Sequence, residues 1–236
     1  MAGMFYLDTL DDQQSAVVLT GDEARHAVAV RRLKLGEEVT VTNGRGLTGF
    51  GKVTASSVRP PQLSIVISRY ETETRSMYIH LASALPKGDR QRVMLDMATQ
   101  AGMDCFTPLM CQRAVSKEGK HAAEKWQRIC LEAMKQSRRS WAPVVKPATN
   151  LKDFLDSVSS TTQIFVASQN GKTIRHFPVD DPGTEVVLLV GPEGGFTDTE
   201  MTLIQKAGAI ELSLGQAVLR TETAAVLATA MIAMPF

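Results

Sequence analysis

Residues 188–200 read LLVGPEGGFTDTE and residues 212–225 read LSLGQAVLRTETAA, and these two stretches decide the fold. Residues 186–190 form a short, unbroken apolar run, as expected of a strand buried on both faces. Gly191, Gly194 and Gly195 follow, letting the chain turn sharply and approach a ligand closely. Thr197 with Glu200 is a capping box that opens a helix, and Gly208 sits where that helix should stop. The second stretch repeats the plan: Ile210, Leu212 and Leu214 alternate, Gly215 breaks the strand, and a helix begins near Thr221. Loops at the carboxyl ends of neighbouring parallel strands form the crevice in which open α/β sheets bind ligands. GPEGG alone suits a tight connection equally well. Arg220 and Glu222, set in an otherwise apolar stretch, favour a ligand site, because charges beside an apolar helix need partners or a purpose.

Upstream, the hydrophobic period switches repeatedly between two and 3.6. Residues 77–85 alternate as a strand, and 90–101 carry apolar side chains at 93, 94, 97, 98 and 101, a helical stripe stopped by Gly102. Segments 105–110, 122–136, 151–158 and 163–167 continue the alternation, which predicts an α/β domain with a largely parallel sheet. Before a polar stretch at 70–76 (YETETRS) the pattern is mostly β: Val39, Val41, an Asn43-Gly44 turn, Phe50, Val53 and a SIVIS run describe hairpins, with one short helix over about 22–31. Two domains are expected, 1–72 and 73–236. The last helix, residues 224–234 (AAVLATAMIAM), is apolar on every face, which predicts burial against a second copy and hence a homodimer.

With 44% hydrophobic and 22% charged residues the chain has material for a real core. Its longest apolar runs fall short of the ~20 residues that span a membrane, and its start reads as neither a signal nor a transit peptide. Cys105, Cys111 and Cys130 lack metal-ligand spacing and are expected to be buried thiols; no metal site is expected. There is no GxGxxG and no GxxxxGK[ST]. His80 reads as a strand residue rather than a base. A net charge of +1 means that any RNA footprint is local. Arg25, Arg31, Arg32 and Lys34 form one cluster. Between Lys117 and Arg139 lie seven Lys/Arg and three Glu, including Glu118, Lys120 and an expected Glu124–Arg128 pair. Arg138 and Arg139 beside Trp141 suit phosphate binding and base stacking.

LVGPEGGFT followed by LSLG and VLRTETAA resembles the ribosomal small subunit methyltransferase E family of the SPOUT superfamily, and the likeness extends to residues 23–39, ALPKGDR at 84–90, residues 107–109 and Trp126. The resemblance implies a SPOUT-type α/β domain with a C-terminal trefoil knot, preceded by a small PUA-like RNA-binding β-barrel. It implies a cytoplasmic enzyme that transfers methyl from S-adenosylmethionine to N3 of a uridine in 16S ribosomal RNA and pairs through the knot region. On this pattern Leu189, Gly191, Pro192 and Gly195 line one side of the cofactor site, and Leu214, Gly215, Val218, Leu219, Thr223 and Ala224 the other. The loop at residues 168–171, after the preceding strand, is expected to supply a third wall, although it matches the pattern less closely. RNA would meet Arg25, Arg32, Lys87, Arg90, Arg113, Arg138 and Arg139.

Methylation at N3 requires loss of an imide proton, and each pKa unit by which a site eases that loss is about 1.36 kcal/mol. Arg220 suits stabilisation of the developing imidate, and Glu193 or Glu222 suits proton acceptance. Glu222 could equally complement the helix dipole, or pair with Arg220 merely to shape the loop. The chain departs from the family pattern at Gly3 and Met4, where Arg is usual, and at Arg31, Asp96, Gln100, Gln112, Arg138 and Ala217. Two other readings therefore stay open: a SPOUT enzyme acting on another nucleotide, and a non-catalytic RNA-binding or ribosome-assembly protein.

Overall fold

In the computed structural model, residues 3–115, 119, 121–172 and 184–234 are described; Lys117, Glu118 and Lys120 of the basic stretch lie outside them. Five strands build the first unit: β1 (Gly3–Tyr6), β2 (Ala16–Leu19), β3 (Glu38–Thr42), β4 (Leu47–Val58) and β5 (Pro61–Thr72), in the order β1-β3-β4-β5-β2. Alternation puts Phe5, Val39, Val41, Val53, Leu63 and Ile65 on one face, where they bury a core with Ala24 and Ala27. Those two alanines come from α1 (Gly21–Arg25) and the π-helical turn that extends it through Val30, the short helix the sequence predicts.

The Asn43-Gly44 turn is longer than a two-residue hairpin connection. Asn43 Oδ1 accepts from the N–H groups of Arg45 and Leu47, and both Gly44 and Gly46 take positive φ. The reason lies far away in sequence. Residues 134–142 belong to this unit, although a cut at 72/73 assigns them to the second. Gly46 N–H donates to Ser140 O and Ala142 N–H to Gly44 O, while the Trp141 indole lies so close that a Cβ on Gly46 would sit 2.6 Å from it. Lys135 Nζ is 2.5 Å from Glu23 Oε1, and Glu23 also accepts the Tyr6 N–H.

The second unit is a wholly parallel sheet among the described residues, ordered β12-β10-β11-β6-β7-β8 with β9 beside β7. Its strands are β6 (Met77–Ala84), β7 (Cys105–Met110), β8 (Val144–Val145), β9 (Thr149–Asn150), β10 (Gln163–Lys172), β11 (Thr184–Val190) and β12 (Ile210–Leu212). Val186, Leu188 and Val190 of β11 join Ile79 and Leu81 of β6 in one apolar layer, covered by α2 (Arg90–Ala101), α3 (Ala122–Ser137) and α6 (Thr221–Ala233). Val187 and Leu189 point the other way, toward α4 (Leu151–Ser157) and α5 (Asp198–Lys206). Both faces are covered, which is why the central strands read as unbroken apolar runs. Polar function is thereby confined to the strand ends. Gly102 (φ 120°) stops α2 and Gly208 (φ 78°) follows α5, as their positions in the sequence predict. Glu124 lies 3.8 Å from His121 Nδ1, and no ion pair joins it to Arg128 among the described residues.

His80 is a buried strand residue. Its Nε2 is 2.7 Å from the Thr107 hydroxyl and its ring meets Phe154 edge-on. Burial pushes its pKa down to about 4, helped by the Lys146 charge; the half-exposed Glu185 carboxylate 3.8 Å from Nδ1 is too solvated to offset this. A base with a depressed folded pKa stabilises the fold fully above its unfolded value near 6.5 and loses that contribution as pH falls toward 4. At 1.36 kcal/mol per unit the loss is about 3 kcal/mol. The stability difference between wild type and His80→Gln should therefore shift by that amount from pH 7 to pH 4 in urea titrations.

Candidate active site

The carboxyl ends of β10, β11 and β12, three adjacent strands, surround a cavity of about 570 Å³. Each strand supplies one wall. The loop after β11 contributes residues 191–196, and the loop after β12 contributes Leu214, Gly215, Ala217, Val218 and Leu219. On β10 the register slips between Ala167 and Lys172, which both face Leu212, so Ser168, Gln169 and Asn170 bulge into the cavity. Gly171 permits the bulge: a Cβ there would lie 2.7 Å from the Glu211 backbone.

The first wall is held from behind by Glu200, only 4% exposed. Its carboxylate accepts from Thr197 N–H at 2.8 Å, completing the capping box of α5, and from Gln112 N–H at 2.8 Å in the loop after β7. From that same loop Arg113 reaches forward and donates to Gly194 O at 2.8 Å. Behind the loop, burial and the Glu200 charge push the Cys111 thiol up to about 12, so it stays protonated. The second wall is tied to the first by Thr221, whose hydroxyl donates to Gly191 O at 3.2 Å.

Of the residues expected to hold a cofactor, Gly191, Pro192, Gly195, Leu214, Gly215, Val218, Leu219 and Ala224 line the cavity. Leu189 does not: the period of two turns it into the apolar layer under α4 and α5, and its neighbour Val190 takes the place. Thr223 is exposed one position past the turn of α6 that faces the cavity, where Thr221 and Ala224 stand instead. Sequence reading also missed Glu211, whose carboxylate accepts from Ser168 Oγ at 2.7 Å and Gln205 Nε2 at 3.3 Å. Its one signal was a charge inside an alternating apolar strand.

Arg220 caps the N-terminus of α6 and is exposed, and among the described residues it forms no ion pair with Glu222. Arg90, expected on the RNA surface, takes that role: its Nη1 is 3.6 Å from Glu193 Oε1 and 3.8 Å from Glu222 Oε1. The Glu222 carboxylate is the more buried of the two, and its Oε2 has no hydrogen-bond partner. Glu193 stands on the cavity rim. Lys87 is exposed in the loop before α2. In the first unit Arg25 is exposed and paired with Asp22 at 2.7 Å, Arg32 (φ 54°) and Arg138 (φ 60°) are exposed, and Arg139 is half-buried. Trp141 is packed against Gly46 instead of standing free as a stacking platform. Among the described residues there is no cluster of His, Cys, Asp and Glu able to hold a metal ion, and no helix is long and apolar enough to cross a membrane.

Comparison with known proteins agrees with this geometry. Residues 73–233 match the model of an RNA methyltransferase domain, and residues 19–65 that of an RNA methyltransferase PUA domain. Ribosomal RNA small subunit methyltransferase E of Mycobacterium bovis is 30% identical over 237 residues, covering 97% of this chain and 90% of the relative. The chain belongs to the ribosomal RNA small subunit methyltransferase E family. The Bacillus subtilis member is 28% identical, over 87% of this chain and 85% of its own. A crystal structure of the Neisseria gonorrhoeae member, bound to S-adenosyl methionine, superposes with a TM-score of 0.87 at 27% identity, covering 98% of this chain and 97% of that one. Within this family framework Glu200 is the post behind the cavity. Glu200→Ala should cost about 3 kcal/mol, the scale of lost hydrogen bonds to a charged acceptor plus a helix cap. Chemical denaturation of the variant checks this.

Proposed function

We propose that the chain is an S-adenosylmethionine-dependent methyltransferase acting on N3 of a uridine in 16S ribosomal RNA. The observation that carries this is the cavity at the ends of β10, β11 and β12, walled by GPEGG and LG loops, in a chain of this family. The residues present suit the cofactor. Val218 is 82% exposed although it lines the cavity, so an apolar partner has surface to cover. Leu214, Leu219 and Phe196 add apolar walls for a neutral heterocycle, while Glu211, oriented by Ser168, is an acceptor for hydroxyl groups. When bound, S-adenosylmethionine supplies an electrophilic methyl on a sulfonium.

Arg220, exposed at the start of α6 and without an ion pair among the described residues, is assigned to the charge developing on the base. Glu222 or Glu193 accepts the imide proton; the unpartnered Oε2 of Glu222 favours Glu222, with Arg90 holding both carboxylates in place. Arg220→Ala is expected to lower turnover by about a hundredfold or more, the scale of one lost electrostatic contact, with cofactor affinity retained. Nucleoside mass spectrometry of ribosomal RNA and calorimetry with S-adenosylmethionine test both halves. Turnover near wild type would remove Arg220 from the mechanism. An absence of cofactor binding by the wild type would favour a purely RNA-binding role.

The trefoil knot, the barrel closure and the homodimer belong to the same reading. After β12, at the sheet's edge, the chain returns to α6, which packs on α2, β6 and β11, the route a threaded C-terminus takes. In the first unit, the twist of five strands ending in β1 and β2 suits a closed barrel. α6 buries Ala224, Ala225, Ala228 and Ile232 but leaves Leu227 exposed, as is Met234 just past its end, and Val93 and Met97 are exposed on its neighbour α2. That apolar stripe is suited to a second copy. Light scattering at micromolar concentration should give twice the chain mass, and Leu227→Asp should shift it to the monomer.

A further inference from the structure

The first unit carries a second cavity, of about 480 Å³, on the face of its sheet away from the core. The pairing register explains what lines it. Met4 pairs with Thr40, Thr40 with Phe50 and Phe50 with Arg69, so four side chains cross β1, β3, β4 and β5 in one row. Thr48 and Glu71 form the next row, and Glu73 is held beside Gly46 by its N–H to the Gly46 carbonyl. The Phe50 ring is half-buried and the Arg69 guanidinium lies 3.7 Å from its centroid. Glu71 is bound to Arg69, and Glu73 accepts from the Ser140 hydroxyl. Arg138 also lines the groove.

We propose that this groove is a subsite for one unpaired guanine of an RNA strand, with its 5′ or 3′ phosphate on Arg138. The inference rests on the reading of the protein as an RNA-modifying enzyme, and adds to it which base is read and where. A ring with a stacked guanidinium is the platform on which splayed RNA bases lie. The polar groups around it, two carboxylates and the hydroxyls of Thr40, Thr48 and Ser140, are rich in acceptors. Guanine alone among the four bases places two donors side by side, N1–H and N2–H₂, against a carboxylate. Uracil flanks its single N–H with two carbonyl oxygens, which a carboxylate repels.

Arg138 is the second support. Its φ of 60° makes it the left-handed residue that ends α3, where its N–H donates to Lys135 O and the Arg139 N–H to Met134 O, so its side chain leaves the helix axis. It is exposed and forms no ion pair among the described residues. An exposed guanidinium lining a base-sized groove is suited to a phosphate.

The test uses the full chain and fluorescence anisotropy with labelled pentanucleotides UUGUU, UUAUU, UUCUU and UUUUU. UUGUU is expected to bind about tenfold tighter than the other three, the scale of one base contact. Phe50→Ala should abolish that preference. Arg138→Gly, which suits the left-handed backbone, should weaken all four RNAs alike and lower the salt dependence by about one phosphate contact. Equal affinity of the wild type for all four, or an Arg138→Gly variant with unchanged affinity and salt slope, overturns the subsite. If Phe50→Ala fails to fold by circular dichroism, the wild-type preference and Arg138→Gly decide. Calorimetry with S-adenosylmethionine on the same wild-type sample reports the other unit. Normal cofactor binding with no guanine preference sinks only this subsite, whereas absent cofactor binding with the preference intact sinks only the methyltransferase reading.

Discussion

The carboxylate of Glu200 holds together the part of the molecule on which the site depends. Buried among apolar side chains, it accepts one N–H from the start of α5 and another from the loop after β7. The first bond fixes where α5 begins, and so fixes the length and path of the loop leaving β11. The second ties that helix to a neighbouring element whose Arg113 grips the same loop from the front. A glycine-bearing loop has a large conformational entropy to lose, and such loops are poor cavity walls unless something removes that freedom beforehand. Here one carboxylate and one guanidinium do so from opposite sides.

A parallel sheet buried on both faces leaves few places for chemistry. Side chains in the middle of β6, β10 and β11 are surrounded by other side chains, and even His80 is kept neutral there. Polar groups can meet a ligand only beyond the carboxyl ends. The bulge at 168–171 and the return of α6 to the Gly191 carbonyl bring three sequence-distant loops around one space.

Much of this was legible in the sequence, because strand ends, glycines and helix caps are local signals. The capping box at Thr197, the stop at Gly102 and the start of α6 all follow from a few neighbouring residues. What sequence reading missed depends on phase or on distance. Leu189 and Thr223 sit next to residues that line the cavity, and a single step reverses a side chain along a strand and swings it by about 100° around a helix. The Arg90 contacts to Glu193 and Glu222 join residues more than a hundred positions apart, which no local pattern encodes. Gly3 and Arg31, distant in sequence, also turn out to interlock. A Cβ on Gly3 would lie 2.3 Å from Arg31 Nη1, so the guanidinium fills the space that a side chain at position 3 would occupy.

Residues 134–142 complete the first unit although they come some sixty positions after its last strand. The Gly46 N–H and the Gly44 carbonyl find their hydrogen-bond partners there, and Glu23 finds its lysine. During synthesis the N-terminal sheet can pair its own strands as they emerge, yet the Gly46 N–H and the Gly44 carbonyl lack these partners until the whole of α3 has left the ribosome. The two units are thus bound into one order of assembly, in which the first to be made is the later to be finished.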